Sequence, residues 1–223
     1  MNKTIFRFLL CVSLLRVTTG LVASDSSNLQ NDEATISLEM EKFIRNIQRE
    51  VGMESYDIKI IPYKEENAEA GFCYTENDVF LIMKINESWL KKYSLDGQRF
   101  TIGHELMHIK REHVFKMKEL SCSWPLLSKN IILAINFIFA WNSRQAEVEA
   151  DLLSVQKLHC AQGAIDSFEK DISEENKRFI KHKIPLCLKW VAYLFADHPS
   201  CEARIKYIKV LMASPAYQLV KAA

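Results

Sequence analysis

The 223-residue chain lacks an excess of either charge, with 29 Lys and Arg against 28 Asp and Glu. Without a basic surplus there is no field to gather phosphates, which argues against a nucleic-acid partner. It also lacks any C-x-x-C pair. Setting aside Cys11 near the N-terminus, the cysteines are Cys73, Cys122, Cys160, Cys187 and Cys201. An odd set without paired spacing is neither a cysteine metal site nor a complete disulfide framework, and leaves buried thiols or one or two bridges as the options. A long hydrophobic run is missing too. Ile131 to Trp141 is apolar but interrupted by Asn136; as a helix it covers about 16 Å, roughly half a bilayer core. A buried or re-entrant helix is expected there, with peripheral membrane contact as the other option.

What is present is ordinary globular composition, 48% hydrophobic and 26% charged, enough for one domain with a full core. The first residues stand apart: Lys3, Arg7 and Arg16 are the only charges before Asp25, around the apolar run Phe8 to Leu15. This pattern, with small residues at Gly20, Ala23 and Ser24, reads as a signal peptide over 1–23 followed by a single domain over 24–223. It implies an exported, periplasmic or secreted protein, with association to a membrane as one option; a mitochondrial presequence is the alternative.

The order of elements predicts a mainly helical α+β fold. Ile36, Met40, Phe43, Ile44, Ile47 and Val51 recur at helical spacing, with Asn31 or Asp32 as a cap and Gly52 as a stop. Tyr56 to Ile61 alternates as a strand closed by Pro62, Lys64 to Ala70 reads as an acidic loop, and Gly71 to Tyr74 with Val79 to Ile85 flank a turn, as in a hairpin. The second hairpin strand is either a sheet edge able to pair with an extended peptide or an interior strand with no such role. Ser94 caps a helix running to about Glu119; Leu126 to Trp141 is a further helix, and Ser143 opens another. The C-terminal third is helical, Phe179 to Phe195 and Pro199 to Met212.

The residues that carry chemistry begin at His104-Glu105-Leu106-Met107-His108. Positions i and i+4 of a helix share a face, so two imidazoles can converge on one zinc ion with Glu105 beside them. An ion held with an open position acidifies water, and a neighbouring carboxylate can take that proton and pass it to a leaving amine. A third ligand is needed. His113 falls five residues after His108 with Arg111 where the H-x-x-G-x-x-H pattern has glycine, which argues against a three-histidine site. His159 and His182 lack ligand spacing. Glu147 and Asp151, again i and i+4, face one way: Glu147 can supply an oxygen ligand, and Asp151 can accept a hydrogen bond from the far nitrogen of a bound histidine. Read alone, they also suit a solvated acidic helix start.

Taken in order, His104-Glu105-x-x-His108, Ser143-Arg144-x-x-Glu147-x-Glu149-Ala150-Asp151 and His198-Pro199-x-x-x-x-Arg204-Ile205 resemble the three-part signature of the HtpX and CAAX-prenyl-protease family of zinc metallopeptidases. The resemblance covers about 36–212 and implies a zincin-like, minimal gluzincin domain: a small sheet, an H-E-x-x-H helix and a second helix bearing the glutamate ligand. It implies one Zn2+ per chain on His104, His108 and Glu147, with Glu105 as general base. Asp151 and Arg204 would support the ligands from behind, and His198 would act near the oxyanion, although His198 before Pro199 also suits a helix start with Pro at its first position. The implied activity is endopeptidase cleavage of unfolded or extended polypeptide, in quality control or processing at a membrane or envelope. The alternative is a zinc-stabilised chaperone or assembly factor with little proteolysis. The chain departs from membrane-embedded relatives in having no long hydrophobic spans, and Asp197 stands where a small or hydroxyl residue is common.

Overall fold

The structure, a computed structural model, describes residues 35–74, 79–113, 129–182, 196 and 198–222. The leader expected over 1–23 and, beyond His182, the helix expected over Phe179 to Phe195 lie outside these residues.

Helix α1 (Leu38–Glu50) starts after Ser37, whose hydroxyl accepts from the Met40 N–H. The cap is therefore Ser37 rather than Asn31 or Asp32, because Ser37 is fixed from outside the helix. Its N–H and hydroxyl donate to the two carboxylate oxygens of Glu87 at 2.9 and 2.7 Å. Met40, Ile44 and Ile47 bury one face of α1 in the core, as their spacing requires. The side-chain amide of Gln48 donates to Met53 O and Tyr56 O and shapes the turn that follows. Tyr56 belongs to that turn, so strand β1 (Ile58–Pro62) begins two residues later than alternation suggested.

Strands β2 (Ala68–Tyr74) and β3 (Val79–Ile85) form the expected hairpin, but β2 takes in Ala68 to Ala70, three residues assigned to the acidic loop. Sheet order is β1-β3-β2, with β3 parallel to β1 and antiparallel to β2. The open question of the hairpin is thereby answered: β3 is interior, its Ile82 and Met83 both buried, and the edge beside the helices is β2.

After the short α2 (Glu87–Leu90), helix α3 (Leu95–Lys110) starts where expected, with the Ser94 hydroxyl accepting from the Gly97 N–H. Phe100, Ile102, Gly103, His104, Leu106, Met107 and Ile109 are all buried, so α3 runs through the middle of the domain with protein on most of its circumference. It stops at Lys110 rather than near Glu119, since Glu112 takes a left-handed φ of 57° and turns the chain back.

The two helices expected on either side of Ser143 are one, α4 (Lys129–Leu158). Ser143 is interior to it and caps nothing; a serine can start a helix, but neighbours with helical preference carry the turn through it. Among the described residues no helix is long and apolar enough to cross a membrane. Helices α5 (Ala161–His182), α6 (Cys201–Ala213) and α7 (Pro215–Ala222) complete the domain. The cap of α6 is Ser200, which leaves Pro199 outside the helix rather than at its first position.

Helix α3 packs on α4, α5 and β2. A glycine at 103 allows the first of these contacts: a Cβ there would lie 2.3 Å from Leu158 Cδ1 and 3.2 Å from Ser154 Cβ. Side chains of α4, not another backbone, thus need its absence. Gly163 does meet backbone, since its Cβ would lie 2.3 Å from the Asp96 carbonyl carbon at the start of α3. The Cys160 thiol is buried and forms no disulfide.

Candidate metal centre

Because α3 and α4 press together at Gly103, the residues one turn along each helix face one another. His104 and His108 of α3 present their Nε2 atoms 3.0 Å apart. Glu147 of α4 places Oε2 3.3 Å from His104 Nε2 and Oε1 3.1 Å from His108 Nε2. Among the described residues these three form a cluster with one donor atom each, all within 4.8 Å of one another. They lie in a cleft of about 470 Å³ that runs past Ala70, Glu105 and His198.

The donor set fits a divalent cation of zinc type. Two imidazole nitrogens and a carboxylate oxygen are a zinc ligand combination that leaves a further position open. Glu147 is 5% exposed, and its Oε2 makes no hydrogen bond of proper geometry although three nitrogens crowd it. Besides His104, these are His198 Nδ1 at 2.8 Å and Arg204 Nη2 at 3.6 Å. A buried carboxylate oxygen without a directed partner is costly, and a cation ligated at this point removes that cost.

Electrostatics agree with a site built for positive charge. Burial pulls the His104 imidazole down, but the Glu147 carboxylate, with Asp151, overrides it and lifts the group to about 10. Burial likewise favours a neutral Glu147, and His104 outweighs it, holding the carboxyl well below its usual range. Metal ligation requires neutral imidazole, so uptake of a cation displaces protons from the metal-free cluster. Glu105 differs: burial pushes its carboxyl up despite the two histidines. The Ala70 N–H, on the edge of β2, donates to Glu105 Oε2 at 2.7 Å and holds this carboxylate between sheet edge and helix.

Behind His104 stands Asp151, fully buried, with Oδ1 2.8 Å from His104 Nδ1, although the pair is not aligned as a straight hydrogen bond. Arg204 of α6 donates to both Asp151 oxygens, Nε to Oδ2 at 2.7 Å and Nη2 to Oδ1 at 2.5 Å. The Tyr207 hydroxyl donates to Oδ2 as well. Burial would neutralise Asp151, but Arg204 holds it ionised and below the usual carboxylate range. His198 is exposed on the loop before α6, and its contact with Glu147 raises its pKa.

The residues singled out by spacing, His104, Glu105, His108, Glu147 and Asp151, and the two that the resemblance implied, His198 and Arg204, therefore lie at or directly behind one cleft. Tyr207 was missed. Its signal was available, because i+3 from Arg204 puts it on the same helix face. His113 was set aside as a ligand, and it does lie outside the three-donor cluster.

The model of peptidase family M48 matches residues 30–211 of the chain. Among curated proteins and solved structures, none matches.

Proposed function

The chain belongs to peptidase family M48, and from that premise we propose that it is a zinc-dependent endopeptidase in which His104, His108 and Glu147 hold the metal and Glu105 is the general base. Membership makes the protein a metallopeptidase, a hydrolase acting on polypeptides. The observation that carries the residue assignment is the convergence of two imidazole nitrogens and the Glu147 carboxylate within 4.8 Å, with Glu105 on the same helix.

The chemistry supplied by bound zinc is Lewis acidity, which polarises a scissile carbonyl and acidifies water. Glu105 takes the proton of the attacking water and returns it to the leaving amine; a pKa raised by burial suits a group that must both accept and donate near neutrality. His198 lines the same cleft and in this reading supplies an N–H toward developing negative charge on the substrate oxygen. Asp151, held by Arg204 and Tyr207, keeps the His104 ring oriented. An extended polypeptide runs along the β2 edge, where backbone groups other than the Ala70 N–H, which Glu105 holds, can pair with it. Work on unfolded proteins at a membrane or envelope, in an exported protein, is the physiological setting we infer from the apolar N-terminal segment and from exposed Ile138 and Trp141 on α4.

Metal analysis with casein cleavage tests this reading. Glu105→Gln is expected to retain one zinc per chain and lose cleavage, and Glu147→Ala to lose the zinc. Full activity in Glu105→Gln would overturn the base assignment, and undiminished metal in Glu147→Ala the ligand assignment. N-terminal sequencing of the mature protein checks the leader, with a start near residue 24 expected.

A further inference from the structure

Beyond its three metal-facing donors, the site has a side-chain relay on its far side. The chain turns back after α3 through Glu112, a non-glycine residue at φ 57°, a conformation that L-residues rarely adopt. The turn brings His113 beneath His108. His113 is buried, 7% exposed, with its Nδ1 3.1 Å from His108 Nδ1 and its Nε2 3.2 Å from Glu149 Oε2. The other oxygen of Glu149 accepts from Arg111 Nε. Glu149 sits two residues beyond Glu147 on α4, so one helix meets His108 in front through Glu147 Oε1 and meets His113 behind it.

With both imidazoles neutral, one arrangement of protons suits the contacts of His113 to His108 and to Glu149. A carboxylate only accepts, so the His113 proton is on Nε2, facing Glu149. His113 Nδ1 is then a lone pair, and His108 Nδ1 must carry the proton that it accepts. The lone pair of His108 is left on Nε2, the atom that faces His104 and Glu147. We propose that His113 is a positioning residue: through its contacts to His108 and Glu149 it fixes the tautomer and ring orientation with which His108 binds zinc. The assignment rests on the reading of His108 as a zinc ligand. It gives the left-handed turn at Glu112 a purpose, because a helix continuing past Lys110 would carry residue 113 away from the far edge of His108.

The test is zinc affinity of the full chain by chelator competition, the Co2+ electronic spectrum as a report on ligand geometry, and metal-free thermal unfolding. His113→Phe, which fills the space but cannot accept, should bind zinc roughly 10- to 100-fold more weakly and change the Co2+ spectrum. His113→Asn places an amide oxygen near the position of Nδ1 and should recover most of both. Glu149→Gln, which can still accept, should stay within a few-fold of wild type. If His113→Phe binds zinc as tightly as wild type with the same spectrum, the positioning role is wrong. If it is too unstable to assay, His113→Asn decides: near-wild-type affinity and spectrum support the role, and their loss overturns it. Wild-type chain that takes up no zinc would overturn the ligand reading and this inference together.

Discussion

His104 and His108 turn the same atom toward Glu147, yet what stands behind them differs in kind. Behind His104 is a closed, buried group: the Asp151 carboxylate, with the Arg204 guanidinium and the Tyr207 hydroxyl donating to it. Behind His108 is the His113 ring, which leads to Glu149 and then to Arg111 at the surface, their side chains 38% and 53% exposed. The first support is assembled from α4 and α6, and charge neutralisation inside protein makes it all-or-none. The second is local to the end of α3 and the neighbouring turn of α4, and water screens its outer end. One histidine is thus tied to the packing of α4 and α6, while the other can adjust with little consequence for the fold.

Asp151→Ala should break this contrast most severely. It leaves the Arg204 charge, whose side chain is only 12% exposed, with just the longer 3.6 Å contact to Glu147. Removing one member of a buried pair costs about 3–5 kcal/mol, so urea unfolding of the metal-free protein should show a large loss. Glu149→Ala, the matching change behind His108, should cost under about 1 kcal/mol. Equal losses would mean that the two supports are energetically alike and the comparison fails.

Tyr207→Phe sharpens the buried side. It removes one hydrogen bond to a charged carboxylate and leaves Arg204 in place, for a cost of about 1.5–3 kcal/mol. A null effect on unfolding would assign the whole support to Arg204.

The difference between the two sides also marks what could be read from sequence. Helical period is a local property, so spacing alone put His104 with His108 and Glu147 with Asp151 on common faces, and Ser94 announced the start of α3. The sheet order was not legible: β3 lies between β1 and β2, its pairing with β1 joins residues far apart in sequence, and the apolar run Val79 to Ile85 does not name the strand on its other side. Nor was the continuity of α4, because Ser143 looks like a cap whether or not the preceding turn is helical. Arg204 came from its motif, while Tyr207 needed the knowledge that α6 turns this face to Asp151. His113 depended on one left-handed residue, Glu112, that nothing in its side chain signals.

A carboxylate remote from the centre provides the acid control. Glu87 clamps the start of α1 through Ser37; burial alone would raise its pKa, but Lys91 and Ser37 outweigh this and lower it to about 2 from 4.5. A depressed folded pKa contributes stability above pH 4.5, lost as pH falls from there toward 2. Glu87→Gln should therefore flatten the stability profile in that window, with an effect on the order of 1–2 kcal/mol, whether or not zinc is present. An unchanged acid slope would show that Glu87 is not the group titrating there.

The smallest effect is expected at the outer end of the His108 relay. Arg111→Ala removes an ion pair whose members are 53% and 38% exposed, and such pairs contribute about 0–1 kcal/mol and weaken with salt. Glu149 can still accept from His113 without Arg111, so the relay keeps its proton arrangement. Zinc affinity of Arg111→Ala should then lie within a few-fold of wild type at low salt and become indistinguishable from it near 1 M, where the screening length is about 3 Å. A larger loss that persists in high salt would mean that Arg111 fixes Glu149 sterically and that the relay, like the Asp151 group, is tied to the fold. The distinction between one rigidly and one adjustably supported ligand would then disappear.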